Sequence, residues 1–83
     1  MKRYPTLDVD EVMTGRFTAT TTPRSDEYRA GFLARLVQLR DGGRVTVPFA
    51  YGTCQADAWL SGLDAAQDHV QWLDERGDVP CAA

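Results

Sequence analysis

Among the side chains best suited to chemistry, the sequence offers one histidine, His69, and two cysteines, Cys54 and Cys81. Zinc sites need ligands in close sets such as C-x-x-C or H-x-x-x-H, and neither spacing occurs. Cys54 stands at the start of a predicted helix, where a thiolate is favoured. His69 lies about four turns farther along that helix, too far to act as its base. Gly42-Gly43 has no G-x-G-x-x-G or G-x-x-x-x-G-K around it, so no phosphate cradle is expected. Asp74 and Glu75 are neighbours, but on a polar helix face and not in an inferred pocket. No nucleophile, base and oxyanion donor assemble, and the expectation is a non-enzymatic protein with no metal and no cofactor.

Two surface features remain. Asp57, Asp64, Asp68 and Glu75 recur at helical spacing and form one acidic row. Such a row could face a basic partner, and more often it is only the solvated face of an amphipathic helix. Trp72 lies off the apolar stripe and beside the row. It is a candidate interface anchor, unless the N-terminal segment covers it.

The elements that must position these residues are few. Eighty-three residues make a single domain, 1–83, with one small core and with 1–5 and 78–83 as mobile tails. Residues 8–14 read as a short helix with Asp8 and Glu11 at capping-box spacing and Gly15 as its stop. Residues 26–41 read as a helix capped by Ser25 and ended by Gly42 and Gly43. Its apolar residues Tyr28, Phe32, Leu33, Leu36, Val37 and Leu39 cover about half its circumference, so packing on more than one side is expected. Residues 54–76 read as a second long helix between Thr53 and Gly77, with Trp59, Leu63, Ala66, Val70 and Leu73 on one face. Residues 16–22 and 44–50 are β-rich and extended, candidates for two short strands. The fold class expected is a small helix-dominated domain, mainly α or α+β. Its two long helices should pack antiparallel as a helical hairpin.

Charge narrows the partners. The chain carries a net charge of −3. Residues 1–52 hold eight Lys/Arg and six Asp/Glu, a net +2, whereas residues 53–83 hold six acids against Arg76 alone, a net −5. An acidic chain argues against direct nucleic-acid binding, which needs a cationic excess. No apolar run reaches the length of a membrane span, and no apolar region follows the basic start MKRYPTLDVDE as a secretory signal requires. A helix over 54–76 spans roughly 33 Å, and the tail returns about half of that, so Cys54 and Cys81 should not form a disulfide. A reduced, cytoplasmic setting is expected.

One stretch carries a resemblance. In PFAYGTCQADAWLSGLDAA, Pro48 and Phe49 make a Pro-aromatic turn, and Trp59 and Gly62 open a helix that reaches Ala66. Upstream, Tyr28, Ala30 and Gly31 read Tyr-x-Ala-Gly. This pattern, over about residues 28–67, resembles the ribosome modulation factor-like family of small bacterial and phage proteins. Leu63 stands where that family has a second Trp, and Val47 replaces its polar or Cys residue before Pro. On residue type alone, Pro48, Phe49, Trp59, Gly62 and Ala66 are mainly fold-building, and Gly62 would let another segment approach the helix closely.

The resemblance implies ribosome binding and damping of translation, and the acidic charge departs from the family's basic character. Two functions are therefore expected to compete. The first is a small interaction protein that binds and modulates or inhibits a larger complex through Trp72 and the acidic row, such as a phage-type anti-defence (anti-CRISPR-like) inhibitor. The second is a ribosome-associated translation modulator that uses Arg24, Arg29, Arg35, Arg40 and Arg44. The partner in either case is a larger protein or ribonucleoprotein complex. A homodimer is compatible with both.

Overall fold

The computed structural model describes residues 2–18 and 24–82. Three helices form within them: α1 (Val9–Arg16), α2 (Asp26–Asp41) and α3 (Cys54–Arg76). Each opens on a side chain that accepts a hydrogen bond from a first-turn amide: Asp8 from Glu11, Ser25 from Tyr28 and Thr53 from Ala56. These caps satisfy amides that a helix leaves without internal partners. α3 stops at Gly77, whose φ of 74° is left-handed. α1 passes through Gly15, which does not stop it, and the Phe17 amide closes it on the Met13 carbonyl.

The two long helices pack against each other, as expected. The closest approach is made by Gly31 of α2 and Gly62 of α3, both buried. A Cβ on Gly31 would collide with the Trp59 carbonyl, 2.8 Å from its carbon, and a Cβ on Gly62 would collide likewise with the Tyr28 carbonyl. The helices differ from an antiparallel pair in direction. Tyr4 donates its amide to the Leu39 carbonyl at 2.7 Å and its hydroxyl to Asp74 at 2.9 Å. One residue thus links the last turns of α2 and α3, so both C-termini lie at the same end. Residues 42–53 provide enough chain to return alongside α2 before α3 begins, and the antiparallel expectation ignored that reach.

The core fills the space on the C-terminal side of this crossing. Phe32, Leu36 and Leu39 of α2 meet Ala66 and Val70 of α3, and Leu7, Val9 and Val12 close over them. Phe17 sets its ring edge-to-face on Phe32, with centroids 5.0 Å apart, and this brings the end of α1 onto α2. The short α1 is stabilised by this burial, since eight residues form a marginal helix alone.

The strand expected at 44–50 does not form. Pro48 supplies no amide for a ladder, and among the described residues no segment pairs with these. The strand expected at 16–22 begins inside α1 at Arg16, and its residues 19–22 lie outside the described residues. The segment expected as the C-terminal tail docks on residues 6–8. Leu7 and Cys81 form an antiparallel bridge, Asp8 donates to the Pro80 carbonyl, and Ala82 donates to that of Thr6. Leu7 explains this: it is fully buried, and it anchors one side of the contact.

Candidate functional site

α3 positions the main candidate surface. Trp59, Leu63, Ala66 and Val70 face inward, and this rotation turns Asp57, Asp64, Asp68 and Glu75 to solvent. None of the four forms an ion pair among the described residues. Other acids are engaged: Asp26 with Arg29, Asp41 with Arg40, Asp78 with Arg76, and Asp74 with Lys2. Hydrogen bonds from Lys2 and Tyr4 hold the Asp74 carboxyl below the usual carboxylate range. Asp74 is therefore part of the fold, whereas the acidic row is unspent.

Trp72 borders that row and is 49% exposed. The N-terminal segment does not cover it, because Lys2 and Tyr4 dock on Asp74 instead. His69 stacks on the indole at 5.9 Å between centroids, and the Arg76 guanidinium sits 4.4 Å from the ring centroid. His69 in turn contacts the buried Phe32 ring at 6.0 Å. Burial, helped by the nearby Arg16 charge, pushes the His69 imidazole below its ordinary value. The indole is thus held on a chain of packed rings that ends in the core. An aromatic fixed in this way loses little freedom when a partner covers it.

The five arginines do not make one patch. Arg24 lies over the Tyr28 ring, Arg29 pairs with Asp26, and Arg40 pairs with Asp41. Arg35 is half-buried between the helices and donates to Gln67 at 3.1 Å. Arg44 is exposed and lies in the extended segment after α2. Helical spacing places Arg29 and Arg40 on the outer face of α2, away from Arg35.

The motif residues sit at the helix crossing and its approach. Trp59 and Ala66 are buried, Phe49 is half-buried, and Pro48 is exposed in the connection. Tyr28-x-Ala30-Gly31 and Trp59-x-x-Gly62 meet each other there, since each motif's glycine faces the other motif's aromatic carbonyl. Compared with known protein families, with characterised proteins and with solved structures, the chain matches none.

Cys54 and Cys81 are free and exposed, and no group of three or more His, Cys, Asp or Glu among the described residues could hold a metal ion. No helix among the described residues is long and apolar enough to cross a membrane. One feature escaped the sequence reading: a groove of about 440 Å³ beside α2, lined by Ala30, Leu33, Ala34, Val37, Val45 and Trp59. Its signal was the i, i+3, i+4, i+7 spacing of Ala30, Leu33, Ala34 and Val37, which supplies an apolar face additional to the core stripe.

Proposed function

We propose that this chain is a non-enzymatic interaction protein that binds and modulates a larger macromolecular complex. Its contact is the Trp72 edge of α3 together with Asp57, Asp64, Asp68 and Glu75. The observation that carries this reading is the half-exposed Trp72, held by His69 and Arg76 beside four carboxylates without ion pairs. A fixed aromatic supplies desolvated area, and the carboxylates select a cationic partner surface. Surfaces that bind nucleic acid are cationic, so an inhibitor that shields one, as an anti-defence protein would, is one concrete form.

The test is affinity capture of the tagged chain beside a Trp72→Ala variant and an Asp64→Lys/Asp68→Lys variant. Both variants should lose the complex that the parent retains, with their helical content unchanged. Equal recovery by all three would remove this surface as the contact.

A ribosome-associated modulator is the second reading. Its support is the meeting of the Tyr-x-Ala-Gly and Trp-x-x-Gly segments at one helix crossing, which fits their recurring together. Arg24 and Arg44 are its exposed cations without ion pairs among the described residues. Cosedimentation with ribosomes that fades as salt rises supports it. Free chain at the top of a low-salt gradient eliminates it.

A further inference from the structure

His69, Trp72 and Arg76 follow one another at spacings of three and four residues, so they stand in one file along α3. The imidazole is stacked on the indole, with 28° between their planes, and the Arg76 guanidinium lies against the same indole. The imidazole also meets the buried Phe32 ring. It is therefore the link between the exposed Trp72 and the core. It is also the chain's single histidine, the side chain whose ordinary titration falls near neutral pH.

We propose that His69 is a pH switch for the Trp72 surface: its neutral ring holds the indole ready for a cationic partner, and its protonation weakens that contact. The inference rests on the reading of Trp72 and the acidic row as the contact. The charges around the ring fix the sign. From α1, Arg16 acts on the imidazole and lies over the Phe32 ring. α2 meets it with Phe32, and the α2 cation between the helices, Arg35, donates to Gln67. On α3, the positions three and four residues away hold Ala65, Ala66, Trp72 and Leu73, so no carboxylate of the row stands one turn from it. Asp68 is next in sequence and turned to solvent, and Arg76 lies against the indole.

A proton on His69 thus adds a cation to a neighbourhood that already holds Arg16 and Arg76. Two effects follow, and both weaken a cationic partner. The new charge offsets part of the acidic row at the edge where Trp72 borders it. A charged imidazole is also better solvated away from Phe32, and a ring that turns outward leaves the indole free, to be ordered again on binding. Burial and the Arg16 charge set the window by pushing the imidazole below its ordinary 6.5. The contact is at full strength above pH 6.5 and weakens as pH falls through the lower value of the folded protein. By the same linkage, a cationic partner bound there drives the His69 titration to still lower pH.

The experiment uses the full chain and a rhodamine-labelled oligolysine peptide, whose ammonium groups stay charged from about pH 7.5 to about pH 5. Fluorescence anisotropy gives the dissociation constant at each pH, and NMR of the single histidine ring gives the His69 titration directly. The dissociation constant should double at the pH where half the rings carry the proton, and rise further below it. Saturating peptide should move the ring's own midpoint to lower pH. His69→Phe keeps an aromatic ring and removes the proton site, so its dissociation constant should stay level over the interval. Binding at about pH 7.5 that does not weaken in acid overturns the switch alone. So does an equal loss in His69→Phe, which would assign it to the carboxylates, or a ring midpoint that the peptide does not move. No binding at about pH 7.5 removes the acidic row as a surface for cations, and the switch with it.

Discussion

Gly31 and Gly62 face each other across the crossing of α2 and α3, each against the carbonyl one turn before the other. A Cβ on Gly31 would meet the Trp59 carbonyl, and one on Gly62 would meet that of Tyr28, both backbone atoms that cannot rotate away. Alanine is the better helix former by about 1 kcal/mol, so propensity alone would favour the substitution. Overlap with backbone reverses that sign, because the helices must separate and the core beyond them loosens.

Gly31→Ala and Gly62→Ala should therefore each destabilise the fold by about 1–3 kcal/mol or more, read as the shift of a urea unfolding midpoint. Gly15→Ala is the matched control. It lies inside α1 with nothing within 4 Å of an added Cβ, and should stabilise by about 0.5–1 kcal/mol. Similar shifts at all three positions would deny the close approach.

The two tryptophans should part in the same assay. Trp59 is 4% exposed and Trp72 is 49% exposed, although both lie on α3. Trp59→Ala should cost about 3–5 kcal/mol, as truncation of a buried aromatic does. Trp72→Ala should cost far less, since only the His69 stack and the Arg76 contact are lost. Its fluorescence should also differ. Acrylamide should quench Trp72 readily in a Trp59→Phe background, whereas Trp59 should resist quenching in a Trp72→Phe background.

The helices were legible because their signals are local. Asp8, Ser25 and Thr53 announce three starts and Gly42 and Gly77 two stops, and apolar spacing picks out Phe32, Leu36, Trp59, Ala66 and Val70. The direction of α3 relative to α2 was not legible. It depends on the path of residues 42–53 and on Tyr4, whose two bonds join residues far apart in sequence. The docked termini were hidden for a similar reason, since only tertiary packing makes Leu7 a core residue. For the site, the phase of the wheel put the acidic row outward and Trp72 beside it. The Phe32–His69–Trp72 ring contacts required two helices to be packed first.

Tyr4→Phe tests how far the termini depend on one side chain. It deletes the hydroxyl bond to Asp74 and leaves the ring in place. Hydrogen exchange should quicken at the amides of Asp8 and Ala82, which bond the Pro80 and Thr6 carbonyls. The amides at the centre of α3 should keep their protection. Uniform acceleration across all three helices would mean that the termini do not open separately.

His69 gives the fold a pH dependence of defined sign. Its imidazole contacts Phe32 and Trp72, and burial with the Arg16 charge lowers its pKa from the ordinary 6.5. The unfolded chain therefore binds this proton more readily than the folded one. Stability from the neutral ring is present in full above pH 6.5 and falls as pH drops below it, levelling once the folded pKa is passed. Asp74 acts in a separate window: its carboxyl is held below 3.8, so its contribution is lost only in stronger acid. The melting temperature should thus decline between pH 7 and pH 5. His69→Phe keeps an aromatic ring between Phe32 and Trp72 and removes the titration, so its decline over that interval should be smaller. An equal decline in parent and variant would assign the pH dependence to other groups and leave the His69 stack without a role in it.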